Sequence, residues 1–483
     1  MTLWWSTLCV AAPLLAAVVL VLRPKWPAVI ALVAVSLVLT GALGLASVLH
    51  ASGPRLIEIG GWGAPLGIAW RIDGLTVTLL LMAGIVGWPV TIYARGYFGD
   101  APAGRHFWPL WMLLLTALCA LFLSNDLFNW YVTLELLSLS AVALVTLSGK
   151  KAALDAAQRY LFTGLFGSLL YLMGVALIYK AYGVLDLTLL RELTQPTLEV
   201  WVALGLMAAG LLVKSALFPL HFWLPAAHGS APAPVSAILS ALVVKGAFYI
   251  LLRLWFDLVP AAMPDAVSLI LGGLGAGAII WGSLQAFRAT RLKMLVAYST
   301  VAQLGYLALF FPLSEAGVWG DTALTGLVYF IFAHACAKGA MFLAAGNLQR
   351  AAGHDELASL APVARALPVS MFAFAIGGVS IMGLPPSGGF IAKWTLLNAA
   401  IGSGGWVWVV VMVVGGLLSA AYIFRVLALS FAEPGVEAVL EGPRVAKSSE
   451  WASLLLASIA LLLGLNALPM LDLLNIGLPQ VPL

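Results

Sequence analysis

Apolar residues run along this chain in long continuous stretches, not in alternation with polar ones. A helix needs about 20 mostly apolar residues to cross a bilayer. Fourteen stretches qualify: roughly 2–22, 26–49, 72–94, 106–123, 126–148, 158–182, 198–219, 232–255, 265–287, 292–312, 320–346, 366–401 with a break, 405–428 and 451–470. A membrane barrel would show alternating apolar and polar positions, so that architecture is set aside. The pattern predicts an all-α polytopic membrane protein with about 14 transmembrane helices. No basic residue precedes the first stretch, while Arg23 and Lys25 follow it. It is therefore expected to be a span and not a cleaved signal.

Two spans carry strong helix breakers. The seventh reads Lys214-Ser215-Ala216-Leu217-Phe218-Pro219 and continues to Pro225. The twelfth reads Gly383-Leu384-Pro385-Pro386-Ser387-Gly388-Gly389 and continues to Lys393. Proline removes an amide donor, and irregular backbone at membrane depth survives only where protein or water satisfies it. Broken helices at matching places in two halves suggest inverted repeats. The expected organisation is N-terminal helices 1–3 over 1–105, a first five-helix repeat over 106–256, an inverted second over 257–430, and a C-terminal loop with helix 14 over 431–483.

Composition agrees with this reading. Of 483 residues, 63% are apolar and 9% charged, and the mean hydropathy is +1.05. Soluble domains carry roughly 25% charged residues. A soluble enzyme, a disordered chain and a nucleic-acid binder are excluded, and the surrounding medium is the lipid bilayer. Cys9, Cys119 and Cys336 are isolated. No disulfide framework, metal site or iron–sulfur cluster is expected, and with no histidine pairs to hold haem, no cofactor is expected either.

Charge placement gives an orientation. Fifteen Lys and Arg fall in odd-numbered loops, among them Arg23, Lys25, Arg95, Lys150, Lys151, Arg291, Lys293 and Arg350; five fall in even-numbered loops, Arg55, Arg71, Lys180, Arg191 and Arg253. The positive-inside rule puts the odd loops in the cytoplasm and both termini outside.

Four lysines remain, each inside an apolar stretch: Lys214, Lys245, Lys338 and Lys393. Glu135 lies in the fifth span, and His334 sits four residues before Lys338 on the same helix face. A charge at the bilayer centre costs about 2.5–3.5 kcal/mol on insertion scales. Singly, each has a plain explanation: Glu135 with Lys214 as a structural ion pair, Lys393 as a snorkelling side chain, His334 as an interhelical hydrogen bond. Together they are four lysines to one glutamate, a poor set for static pairing. The set suits a row of titratable groups passing protons. A charged lysine has three donors and no acceptor, so it does not coordinate Na⁺.

Specific motifs accompany these residues. Phe218-Pro219-Leu220-His221-Phe222-Trp223-Leu224-Pro225-Ala226-Ala227-His228, with Ala231-Pro232-Ala233-Pro234-Val235-Ser236 after it, resembles the signature of the antiporter-like proton-pumping subunits. That superfamily holds the A and D components of Mrp-type Na⁺/H⁺ antiporters. It also holds the three large antiporter-like subunits of respiratory complex I and their relatives in membrane-bound hydrogenases. Leu292-Lys293-Met294-Leu295-Val296-Ala297-Tyr298-Ser299 through Tyr306, and Gly383 through Lys393, match as well. The resemblance implies a proton relay formed by Glu135, Lys214, Lys245, His334, Lys338 and Lys393, with either His334 or Lys338 carrying the step on helix eleven. One departure is Thr290-Arg291, where the family often has an acid.

The stretch Gly60 to Ile68 and the lysine on helix twelve look most like the D component of Mrp antiporters; His228 before Ala231-Pro232 is closer to the complex I and hydrogenase members. The reading is a proton-translocating subunit of a multisubunit cation/proton antiporter, with a complex I-type NADH-quinone oxidoreductase or hydrogenase subunit as the alternative. Implied partners are other membrane subunits and protons in a bacterial plasma membrane; Na⁺ is one candidate for the other side of an antiport cycle, and the sequence leaves that coupling ion open. An autonomous transporter of an organic solute would want a midplane pocket with carboxylate-binding groups, and the sequence offers a line of titratable residues instead. The run Gly272 to Gly277 follows no strand and is read as close helix packing.

Overall fold

The computed structural model describes residues 1–22, 24–99, 101–258, 265–314, 322–432 and 442–476. Arg23, one of the basic residues used for orientation, lies outside them. Among the described residues, eleven helices are long and apolar enough to cross a membrane: Thr2–Val21, Pro27–Ser52, Gly74–Phe98, Pro102–Leu123, Leu127–Ser148, Lys151–Tyr182, Ala233–Asp257, Asp265–Arg288, Leu292–Leu313, Thr322–Ala352 and Trp406–Phe431. Three predicted stretches are shorter helices. The seventh is Leu198–Lys214 followed by Leu224–Ser230, the twelfth is Pro368–Met382 followed by Gly388–Gly402, and the fourteenth is Lys447–Leu462. A two-stranded antiparallel hairpin, Arg55–Glu58 with Ala69–Ile72, caps the end of the molecule between the second and third spans.

The breaks follow from their sequences. In the seventh span the Leu198–Lys214 helix stops at Ser215, and Ala216 adopts a left-handed φ of 54°. The last carbonyls of a helix lack intrahelical donors. Here Ser215 and Leu217 amides bond Leu211 and Leu212 carbonyls at 2.8 and 3.1 Å, and the Trp223 indole donates to the Val213 carbonyl at 3.1 Å. In the twelfth span, Gly383 (φ 82°) ends the first half and Ser387 caps the second, its side chain accepting from the Phe390 amide. The two halves touch at Gly389, where a Cβ would lie 1.8 Å from the Ser380 carbonyl oxygen.

The eighth span holds an interruption with no proline or glycine to announce it. Residues Leu239–Val243 form a π-turn between Ala233–Ile238 and Val244–Asp257. Such turns break the regular ladder and are frequent at functional sites.

Burial divides the helices. The central windows of Ala233–Asp257 and Thr322–Ala352 are wholly buried, whereas the first, second and thirteenth spans mostly face outward. A polar group on the eighth or eleventh span is therefore shielded from the surroundings by protein on every side. The sixth and seventh spans cross at a glycine pair. A Cβ on Gly210 would lie 2.3 Å from the Gly167 carbonyl oxygen, and this close approach brings Lys214 to the sixth span. Gly275, in the glycine run of the ninth span, meets Gly305 of the tenth in the same way.

Candidate functional site

Glu135 and Lys214 form an ion pair. Asp126 caps the fifth span by accepting from the Asn129 amide, and Glu135 follows on that helix. The Lys214 ammonium lies 3.3 Å from the Glu135 carboxylate and donates to Ser138 Oγ at 2.8 Å. The same carboxylate oxygen accepts from the Ser168 hydroxyl of the sixth span. Three helices thus supply a carboxylate, an ammonium and two hydroxyls within one hydrogen-bonded group.

The other three lysines use neutral acceptors. Lys245 is buried on the eighth span, and its ammonium donates to the Ser240 carbonyl inside the π-turn. The turn thereby supplies the oxygen that holds the lysine placed just after it. Ser240 Oγ in turn lies 2.9 Å from Thr300 Oγ1 of the tenth span. Lys338, fully buried on the eleventh span, donates to Ser299 Oγ and, at 3.2 Å, to the Val296 carbonyl. Lys393, in the second half of the twelfth span, donates to the Ile381 carbonyl at 2.7 Å. That carbonyl belongs to the last turn of the first half, where the break removes its helical donor. The Tyr306 ring lies 4.3 Å from the Lys393 ammonium, a cation–π contact.

His334 joins these lysines. It stacks on Phe330 with ring centroids 5.8 Å apart, and Lys245, Lys338 and Lys393 are its charged neighbours. Both of its ring nitrogens are buried without a protein hydrogen-bond partner. Buried polar groups are nearly always satisfied, by ordered water if not by protein. The structure therefore gathers all six sequence-predicted residues into two sets, Glu135 with Lys214, and Lys245 with His334, Lys338 and Lys393.

Comparison with known proteins adds to this geometry. The family model described as "NADH:quinone oxidoreductase/Mrp antiporter, TM" matches residues 124–419, and one described as "NADH-Ubiquinone oxidoreductase (complex I), chain 5 N-terminus" matches 57–108. The chain belongs to this family. It is 36% identical over 415 residues to the N component of NADH-quinone oxidoreductase from Desulforudis audaxviator, covering 84% of this chain and 82% of the relative. It is 30% identical over 394 residues to the D component of the Na(+)/H(+) antiporter from Alkalihalophilus pseudofirmus, covering 80% and 78%. Among solved structures, a chain of the membrane-bound sulfane sulfur reductase, an archaeal respiratory membrane complex, superposes with a TM-score of 0.89 at 26% identity, covering 97% and 96%. This antiporter-like protein thus resembles components of multisubunit membrane complexes.

Two of its cations are not the loop residues that the sequence suggested. Lys293 lies in the first turn of the Leu292–Leu313 span, 2% exposed, and donates to the Ala231 carbonyl. Arg253 is fully buried near the end of the eighth span, with two nitrogens each 2.7 Å from Asp73 oxygens. Arg71 bonds the same Asp73 at 2.9 Å and Asp257 at 2.7 Å. Both sit near predicted span ends, so the sequence counted them with the loops, and the basic asymmetry between loop sets survives their removal. The fourfold spacing Lys245-Tyr249-Arg253-Asp257 on one helix face was the available signal.

In the sequence, His228 stands only as a motif position. In the fold it is fully buried, stacks on Phe342 at 4.7 Å, and has Lys293, Lys338 and Lys245 as charged neighbours. Neither of its ring nitrogens has a protein partner. It joins the start of the tenth span to the lysine row, a position visible only once the 229–232 segment is folded against the helix at Lys293.

Proposed function

We propose that this protein translocates protons within a multisubunit cation/proton antiporter, as the equivalent of the D component of Mrp antiporters. Protons move along Glu135, Lys214, Lys245, His334, Lys338 and Lys393, and Na⁺ is the countertransported ion. The observation that carries the reading is the gathering of three lysines and a histidine in a protein interior, on carbonyl and hydroxyl acceptors that leave them able to exchange protons. The Glu135–Lys214 pair supports it as a unit that opens and closes. A relative named as the D component of a Na(+)/H(+) antiporter agrees with it.

A second reading is a proton-pumping component of an NADH-quinone oxidoreductase. The 36% identity to the N component of such a complex favours it. In either case residues 106–256 and 257–430 are two inverted repeats, each with one broken helix. The plasma membrane holds the protein with both termini outside.

Inverted membrane vesicles containing the assembled complex test the reading. A proton gradient that collapses on Na⁺ addition, and fails to do so in Lys245→Ala, supports the antiporter. Gradient formation driven by quinone reduction and insensitive to Na⁺ supports the second reading. Undiminished proton movement in Lys245→Ala overturns both. Cysteine labelling tests the orientation: a cysteine near Lys150 is expected to react from the cytoplasm, and one near Gly61 from outside. The reverse pattern overturns it.

A further inference from the structure

The molecule carries a basic cavity that the proton row does not use. Its volume is about 500 Å³, within the usual range for ligand sites. Lys150, Arg291, Lys293 and Arg350 line it, and none of its lining residues is acidic. Arg291 pairs with Asp355 at 2.8 Å. Lys293 and Arg350 instead donate to backbone carbonyls, and the Arg350 Nε is buried without a partner. The cavity is therefore strongly cationic. Two helices also begin in its wall, Lys151–Tyr182 and Leu292–Ala308, and neither has a side-chain cap. The Leu292 amide is taken by the Asp355 carbonyl at 2.7 Å, so the start of Lys151–Tyr182 is the helix end that faces an anion, and phosphate is the group such helix starts favour.

A second cavity, of about 450 Å³, adjoins the first through the shared residues Ala103 and Leu147. It runs between the fourth and fifth spans past Leu110 and Ala143. Those two side chains are only half-buried, so the groove opens on the surface that faces the bilayer. A cationic chamber joined to an apolar groove matches a molecule with an anionic head and an apolar tail. Basic pockets between transmembrane helices hold anionic lipid head groups in just this manner.

We infer that this pair of cavities binds one anionic phospholipid, its phosphate among Lys150, Arg291, Lys293 and Arg350, and one acyl chain along the Leu110–Ala143 groove. The lipid neutralises the surplus charge of the chamber. It also staples the start of the sixth span to the starts of the fourth and tenth.

The full-length protein, in the membrane complex with which it is isolated, is titrated in zwitterionic detergent with short-chain phosphatidylglycerol, short-chain phosphatidylcholine and inorganic phosphate at constant ionic strength. The readout is the thermal unfolding midpoint. Phosphatidylglycerol is expected to raise it saturably, and the other two to leave it unchanged. Lys150→Gln is expected to weaken the phosphatidylglycerol response about fivefold, the effect of one cation near a lipid surface. Ala143→Trp, which fills the groove, is expected to remove the response. Lys180→Gln, at the exposed Lys180–Glu199 pair, is expected to leave it intact. An equal response to inorganic phosphate overturns the lipid assignment in favour of a free-anion site. Absence of any response to phosphatidylglycerol, or a wild-type response in both Lys150→Gln and Ala143→Trp, overturns the site altogether.

Discussion

Lys214 and Lys338 are both buried intramembrane lysines, and their surroundings are opposite. Lys214 has a carboxylate at 3.3 Å and a hydroxyl at 2.8 Å. Lys338 has a hydroxyl and a carbonyl, and Lys245 and Lys393 likewise rest on carbonyls. A carboxylate holds a proton on a lysine by favouring the charged form, and neutral acceptors hold it far less. In the proposed relay, one end is thus a charge pair and the other a set of lysines resting on neutral acceptors. The difference teaches that the single acid among four lysines is an element placed at one end, and not a shortage of counterions.

The comparison breaks first on stability. Glu135→Ala leaves the Lys214 charge buried with the Ser138 hydroxyl as its remaining side-chain acceptor. Breaking a buried pair costs about 3–5 kcal/mol, and the 19% exposure of the Glu135 side chain brings the expected loss to roughly 2 kcal/mol. Lys338→Met removes a buried amine whose acceptors are neutral, and is expected to change stability by less than about 1 kcal/mol. Chemical or thermal unfolding of the two variants in one detergent measures both. Equal losses would erase the distinction between the ends of the row.

A smaller effect sharpens it. Ser299→Ala deletes one acceptor of Lys338 and is expected to cost about 1 kcal/mol, the scale of one buried hydrogen bond. Ser168→Ala deletes a hydroxyl donor to the Glu135 carboxylate and is expected to cost somewhat more, because hydrogen bonds to charged groups run about 1.5–3 kcal/mol. The reverse order would contradict the placing of the stronger hydrogen bond at the Ser168–Glu135 contact.

The smallest effect at neutral pH concerns the ion network at the hairpin end. Burial alone would raise the Asp73 carboxyl, but Arg253 and Arg71 outweigh it and hold it below the ordinary carboxylate range. A depressed carboxyl contributes its stability above the unfolded value near 4, and loses it as pH falls through the folded value. The network should therefore be intact from neutral pH down to at least about pH 4. Unfolding midpoints measured against pH should decline below that point in the wild type, and show a weaker decline in Asp73→Asn. A wild-type loss already complete near pH 5 would contradict the assignment.

Much of this was legible in the sequence, for physical reasons. Pro219, Pro385, Pro386 and Gly383 disrupt helices wherever they stand, so the two breaks announced themselves. Glu135 and Lys214 stood out as opposite charges in apolar surroundings. The π-turn did not, because Leu-Ser-Ala-Leu-Val is an ordinary helical run, and its irregularity comes with the acceptor that Lys245 takes inside it. Lys293 and Arg253 were misplaced because their partners are distant in sequence. Ala231 is 62 positions from Lys293, and Asp73 is 180 from Arg253. Helix-end cations look alike in sequence whether they reach water or turn inward to such a partner.

The central claim is that Lys245 carries a proton and not merely a charge. The direct measurement is proton transport by Lys245→Arg in inverted vesicles, in a complex shown to assemble. Guanidinium keeps the positive charge and the donors toward the Ser240 carbonyl, but does not release its proton at accessible pH. The account predicts transport reduced to near the level of Lys245→Ala. Wild-type transport by the arginine variant would contradict it.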